Sequence, residues 1–77
     1  MKVTIEVYDR LKYEPDAKVV AEVKHDIKSY SVEEKTDAEI YAEGFDEVDP
    51  YGEYLVIRTM DDEFSTFRNS YVDMFKF

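Results

Sequence analysis

His25 is the only imidazole in the sequence, and a histidine that acts as a general base needs a nucleophile and an orienting acid around it. Its neighbour Asp26 would point to the opposite side of an extended chain, so His25 reads as an ordinary surface or turn histidine. With no cysteine, a thiolate nucleophile, a thiolate zinc site and a disulfide framework are all excluded. Carboxylates are plentiful, 19 against 10 lysines and arginines, and that abundance weakens any one pair as a sign of acid–base catalysis. Glycosidase chemistry needs two carboxyls flanking a sugar-sized cleft, and a chain of 77 residues has little room for one beside its core. No catalytic residues are therefore expected, and the chain is not read as an enzyme.

The stretch Asp46-Glu47-Val48-Asp49-Pro50-Tyr51-Gly52-Glu53 offers the oxygen donors that suit calcium. Counted from Glu47, Asp49 and Gly52 fit the third and sixth positions of an EF-hand loop, but Tyr51 and Arg58 stand at the fifth and twelfth. The motif fails, and a turn built by Asp49-Pro50 and Gly52 is the better reading. Two isolated glycines, Gly44 and Gly52, cannot make a phosphate-binding loop. Neither a cofactor nor a metal site is expected.

What remains is a surface. The net charge of −9 is unevenly spread: residues 1–32 carry six acids and six bases, residues 64–77 are net +1, and residues 33–63 carry twelve acids against Lys35 and Arg58. Acidic loops are commonly just solvated faces. Concentrating like charge nevertheless costs self-repulsion, and the local negative field it creates has a use when something positive meets it. Within and beside this segment, Glu39, Tyr41, Glu43, Asp46, Glu47, Asp49, Tyr51 and Glu53 read as outward or loop positions, with Tyr54 a further candidate. Asp61, Asp62 and Glu63 extend them at a hairpin tip. Tyrosine supplies contact area at low entropy cost, and the acids steer and pair with arginine or lysine on a partner.

In size, acidity and clustered carboxylates over 33–63, the chain resembles the small nucleic-acid-mimic inhibitors of phages and mobile elements, such as anti-CRISPR and anti-restriction proteins. That resemblance implies a cytoplasmic, non-catalytic protein that blocks the basic groove of a nuclease or another DNA- or RNA-handling protein. A pI near 4.4 argues against direct contact with nucleic acid or an anionic membrane. The alternative is a small β assembly or adaptor module, homodimeric through its sheet edges.

The elements that must position these residues form one domain over 1–77, because a chain this short buries a single core. Residues 2–8 alternate Val3, Ile5 and Val7 with polar neighbours and predict a half-buried strand. Residues 9–17 read as a loop. Residues 53–60 and 64–68 predict a hairpin turning at Asp61-Asp62-Glu63, and 72–77 alternates again. Residues 18–24 and 28–32 read as two short strands, although Val19, Val20, Val23, Ile27 and Tyr30 also have helical spacing. A likeness between 24–32 and 68–77 favours strand, turn, strand in both. Over 37–44 a helix capping box at Thr36-Asp37-Ala38-Glu39 competes with alternation of Ala38, Ile40 and Ala42 against Glu39, Tyr41 and Glu43; the strand is preferred, with the alanines facing inward. The whole predicts a mainly β fold, a small antiparallel sheet or SH3-like barrel of about six short strands. The competing architecture is α+β with a helix at 15–30. No apolar run suits a signal peptide or a membrane span.

Overall fold

A computed structural model describes all of residues 1–77. The chain is mainly β, with strands β1 (Lys2–Tyr8), β2 (Val19–Glu34), β3 (Glu53–Thr59), β4 (Phe64–Arg68) and β5 (Val72–Lys76). A single short helix, α1 (Asp37–Ala42), lies in the β2–β3 connection, and a 3-10 turn (Asn69–Tyr71) links β4 to β5. All neighbouring strands are antiparallel, in the order β4-β3-β2-β1-β5. There are five strands, close to the expectation of about six. The sheet is open rather than closed into a barrel, since β4 and β5 are its two edges.

β2 organises the sheet. Its residues 19–26 pair with β1 and its residues 27–34 pair with β3. A register irregularity falls between Ile27 and Ser29, where an extra residue kinks the strand and increases its twist. Val3 and Ile5 of β1, Ile27 of β2, Leu55 and Ile57 of β3 and Val72 of β5 form one buried cluster, with Val7, Tyr30, Phe67 and Met74 packed against it. One cluster drawing on both halves of the sheet requires the halves to turn toward each other about β2. No helix forms at 15–30, and β2 runs through positions 25 and 26 without the turn that the likeness to 68–77 suggested.

β3 is buried at four successive residues, Tyr54 to Ile57. Leu55 and Ile57 face the main core, while Tyr54 and Val56 lie on the opposite side, as alternation along a strand demands. The β2–β3 connection supplies cover on that second side: Phe45 packs on Tyr54 with ring centroids 5.8 Å apart. Ile40 of α1 is fully buried.

The expected strand at 37–44 is overturned by its own end signals. The Thr36 hydroxyl accepts from the Glu39 N–H, and the Thr36 N–H donates to the Glu39 carboxylate, completing the capping box. At the other end Gly44 has φ 92°. Its N–H donates to the Tyr41 carbonyl and the Phe45 N–H to the Ile40 carbonyl, the paired bonds of a Schellman stop. Only Ile40 of the helix is buried; Ala38 and Ala42 are exposed rather than facing the core.

One local misfit yields a prediction. Thr4 of β1 is 6% exposed, and its buried hydroxyl finds no hydrogen-bond partner. A buried hydroxyl without a partner costs about 1–3 kcal/mol. Thr4→Val keeps the branched shape and removes that oxygen, so it is expected to raise stability by about 1 kcal/mol, read as a higher urea midpoint at unchanged slope. A lower midpoint would contradict it.

Candidate functional site: an acidic surface around the β2–β3 connection

The structure sorts the acidic residues by what lies beside them. In residues 1–32, five of the six carboxylates have a cation within 4.0 Å: Arg10 gathers Asp9, Glu14 and Asp16, Lys24 faces Glu22, and the N-terminal ammonium holds Asp26. In residues 33–63 only three of the twelve do, namely Glu43 with Lys35, Glu47 with Arg68, and Asp62 with Lys28 and Arg58. Nine carboxylates of that segment thus have no cationic neighbour. Like charges even meet directly, with Glu34 of β2 opposite Glu53 of β3.

The candidate residues occupy several distinct settings. Glu39 spends its carboxylate on the α1 cap. Tyr41 projects from α1, 58% exposed. Glu43, at the helix C-cap, binds Lys35 through Oε1. That hydrogen bond, opposed in part by desolvation, raises the Lys35 ammonium above the usual lysine range, with the Glu43, Glu33 and Glu39 charges adding to the rise. Asp46 is exposed and has no cationic neighbour. Glu47 pairs with Arg68 at 2.8 Å. Tyr51 sets its ring edge-on against Tyr13 of the β1–β2 loop, 5.6 Å between centroids. Glu53 is half-buried and accepts from Asn69 Nδ2 at 3.1 Å.

The hairpin tip stands apart, because the seven residues of β3 separate it from Glu53 by roughly 20 Å of extended chain. Asp61 and Glu63 are exposed there without a cation. Asp62, in the left-handed region at φ 62°, takes a hydrogen bond from Lys28 Nζ at 2.6 Å and lies 2.9 Å from Arg58. Lys28 first, and Arg58 with it, hold its carboxyl below the usual aspartate range. The expected single patch is therefore two acidic groups at different ends of β3.

Asp49 departs furthest from expectation. It is 2% exposed, so its carboxylate cannot meet a partner. Oδ2 accepts from the Ser70 backbone N–H at 3.0 Å and from the Ser70 hydroxyl, and Oδ1 accepts from the Tyr51 N–H at 2.8 Å. Its own N–H donates to the Tyr54 hydroxyl at 2.6 Å. Tyr54, read from sequence as a surface candidate, is likewise fully buried. The Asp49–Gly52 turn itself forms as expected, with the Gly52 N–H on the Asp49 carbonyl and Gly52 at φ 71°.

A groove of about 400 Å³ is lined by Glu43, Phe45, Phe64 and Thr66. Phe45 follows the stop of α1, while Phe64 and Thr66 lie on the same side of edge strand β4. Nothing in the sequence drew attention to Phe64, which reads there as a hairpin strand residue; in the structure it is 70% exposed. His25 sits half-buried in β2 opposite Val3. No group of three or more His, Cys, Asp or Glu side chains is placed to hold a metal ion, and no helix is long and apolar enough to cross a membrane.

The fold and surface define a small antiparallel β domain with an acidic connection packed across one side of β3. Comparison with protein-family models, with curated proteins and with solved structures finds no match to this chain.

Proposed function

We propose that this domain is a non-catalytic acidic protein-binding module that occupies the basic groove of a nucleic-acid-handling protein. The observation that carries this reading is the contrast in pairing: five of six carboxylates are neutralised locally in residues 1–32, and three of twelve in residues 33–63. Unpaired carboxylates held on a folded frame can stand in for a row of phosphates, taking the lysine and arginine sites that would otherwise bind DNA or RNA. Such binding is steered by charge and weakens as salt screens it.

The test uses carboxylates that are exposed and free of structural duty. Asp46→Lys, Asp61→Lys and Glu63→Lys leave the α1 cap, the buried Asp49 network and the Lys35–Glu43 pair intact. A lysate pull-down at low salt is expected to capture a basic nucleic-acid-binding protein that added salt or competing DNA releases. The triple variant, with an unchanged circular dichroism spectrum, is expected to bind it at least about tenfold more weakly. Capture unaffected by the three reversals would refute the reading.

The second reading, a homodimeric β module, draws on Phe75 and Phe77, which are 49% and 73% exposed at and beyond edge strand β5. It predicts a concentration-dependent dimer in sedimentation that is insensitive to the same reversals.

A further inference from the structure

We infer that edge strand β4 is the seam of a symmetric homodimer, in which it pairs antiparallel with β4 of a second copy. The inference is independent of the acidic-module reading, and it lies at the opposite edge of the sheet from Phe75 and Phe77. The hydrogen-bond phase of β4 is fixed at the hairpin, where the Thr59 N–H donates to the Glu63 carbonyl at 2.8 Å. The register with β3 then runs without irregularity. Ser65 and Phe67 therefore bond inward, and Phe64, Thr66 and Arg68 turn their N–H and C=O groups outward. No backbone hydrogen bond beyond the sheet ladder uses those outward groups. β4 also has no proline, lysine or bulge, the devices that commonly protect an edge.

The other edge is blunted. The Phe77 N–H donates to the Lys2 carbonyl, which leaves Val72, Met74 and Lys76 of β5 facing out. Val72 is already satisfied: its N–H donates to the Asn69 carbonyl, and its own carbonyl accepts from Lys12 Nζ at 2.8 Å. Only β4 keeps its whole edge open.

A second copy fits this edge by symmetry and by charge. With Thr66 opposite Thr66 on a two-fold axis, Phe64 of each chain stands opposite Arg68 of the other. Every outward N–H and C=O of 64, 66 and 68 then finds a partner. Thr–Thr is a favourable cross-strand pair, and Phe64, 70% exposed, gains cover from the aliphatic stem of Arg68 of the second copy. Arg68 is the only charged residue of β4 and is already paired with Glu47. Two chains can thus approach here, whereas residues 33–63, with twelve acids against two bases, repel their own copy. Antiparallel pairing also keeps the two Glu63 carboxylates about 20 Å apart along the seam, beyond the screening length of about 8 Å at physiological salt.

The test dilutes the full chain from about 1 mM to about 10 μM, followed by sedimentation equilibrium and backbone amide NMR shifts. The mass is expected to approach that of a dimer at the upper end. The amides of Phe64, Thr66 and Arg68 are expected to shift with concentration, and those of Ser65 and Phe67 much less. Thr66→Pro removes an outward N–H from each chain without breaking a bond to β3, and is expected to weaken the dimer at least about tenfold. Thr66→Lys keeps the backbone free of proline strain and sets two ammonium groups face to face at the axis. It is expected to weaken the dimer to a similar degree with an unchanged circular dichroism spectrum. Phe75→Ser and Phe77→Ser are expected to leave the dimer intact. A chain that stays monomeric at about 1 mM would overturn the seam. So would a dimer that survives both Thr66 variants and dissociates with the Phe75 and Phe77 variants, which would place the contact at β5. Neither result touches the capture of a basic partner, which the three charge reversals test separately.

Discussion

Asp49→Ala is expected to be among the most damaging single substitutions in the chain, costing about 3–4 kcal/mol. The carboxylate is 2% exposed and collects three hydrogen bonds, two from Ser70 and one from the Tyr51 N–H. Ser70 is itself 1% exposed, so water cannot replace the lost acceptor without opening the fold. Hydrogen bonds to a charged group contribute about 1.5–3 kcal/mol each, and buried donors left without partners add their own desolvation cost. A domain of this length has roughly 4–12 kcal/mol of total stability, so the variant should be partly unfolded near its ordinary working temperature. Urea unfolding should show a much lower midpoint with the slope unchanged. Asp49→Asn keeps one oxygen as an acceptor and should lose about half as much. A loss below about 1 kcal/mol in the alanine variant would show that the carboxylate is dispensable.

Ile40→Ala is the second, at about 2–4 kcal/mol, and its effect should be local before it is global. A helix of six residues has no stability of its own in water, and Ile40 is the only residue of α1 that is buried. Truncating it removes the one buried side chain that anchors the capped turn. Hydrogen exchange should then report lost protection for amides 40–45, while β1, β2 and β5 stay protected. Equal loss across all strands would mean that α1 and the sheet unfold as one unit.

Two parts of the fold stood out in the sequence. β1 shows plain alternation, with Val3, Ile5 and Val7 all on the core side, and the β3–β4 hairpin announced itself by its β-rich arms and acidic turn. β2 disguised itself. Its core-facing residues run 23 and 27 on one parity and then 30 on the other, because the irregularity between Ile27 and Ser29 inserts one residue. Val23, Ile27 and Tyr30 therefore acquire the spacing of a helix while lying in a strand. In α1 the alternation of Ala38, Ile40 and Ala42 carried no information, since two of the three are exposed. The capping box and Gly44 were the true signals, and only Ile40 served both readings.

For the candidate site, the sequence held the inventory of charge but not its neutralisation. Lys28 reaches Asp62, and Arg68 reaches Glu47, across distances along the chain that no local pattern records. Asp49 was misplaced for a related reason. An acid beside a proline looks like a solvated loop, and its burial depends on Ser70, which arrives with the far end of the chain.

The strand order also bears on how the domain assembles. β5 pairs only with β1, and Val3 stands opposite Lys76, so the fifth of these strands in chain order lies along the first. Contacts of such high sequence separation require the intervening loop to be closed before they return any stability, and sheets dominated by them fold in milliseconds to seconds. On the ribosome, the nascent chain can form the β3–β4 hairpin early. Met74 and Val72 cannot cover Ile5 and Val7 until the β5 segment has left the exit tunnel, and until then β1 presents an unpaired edge to whatever is nearby.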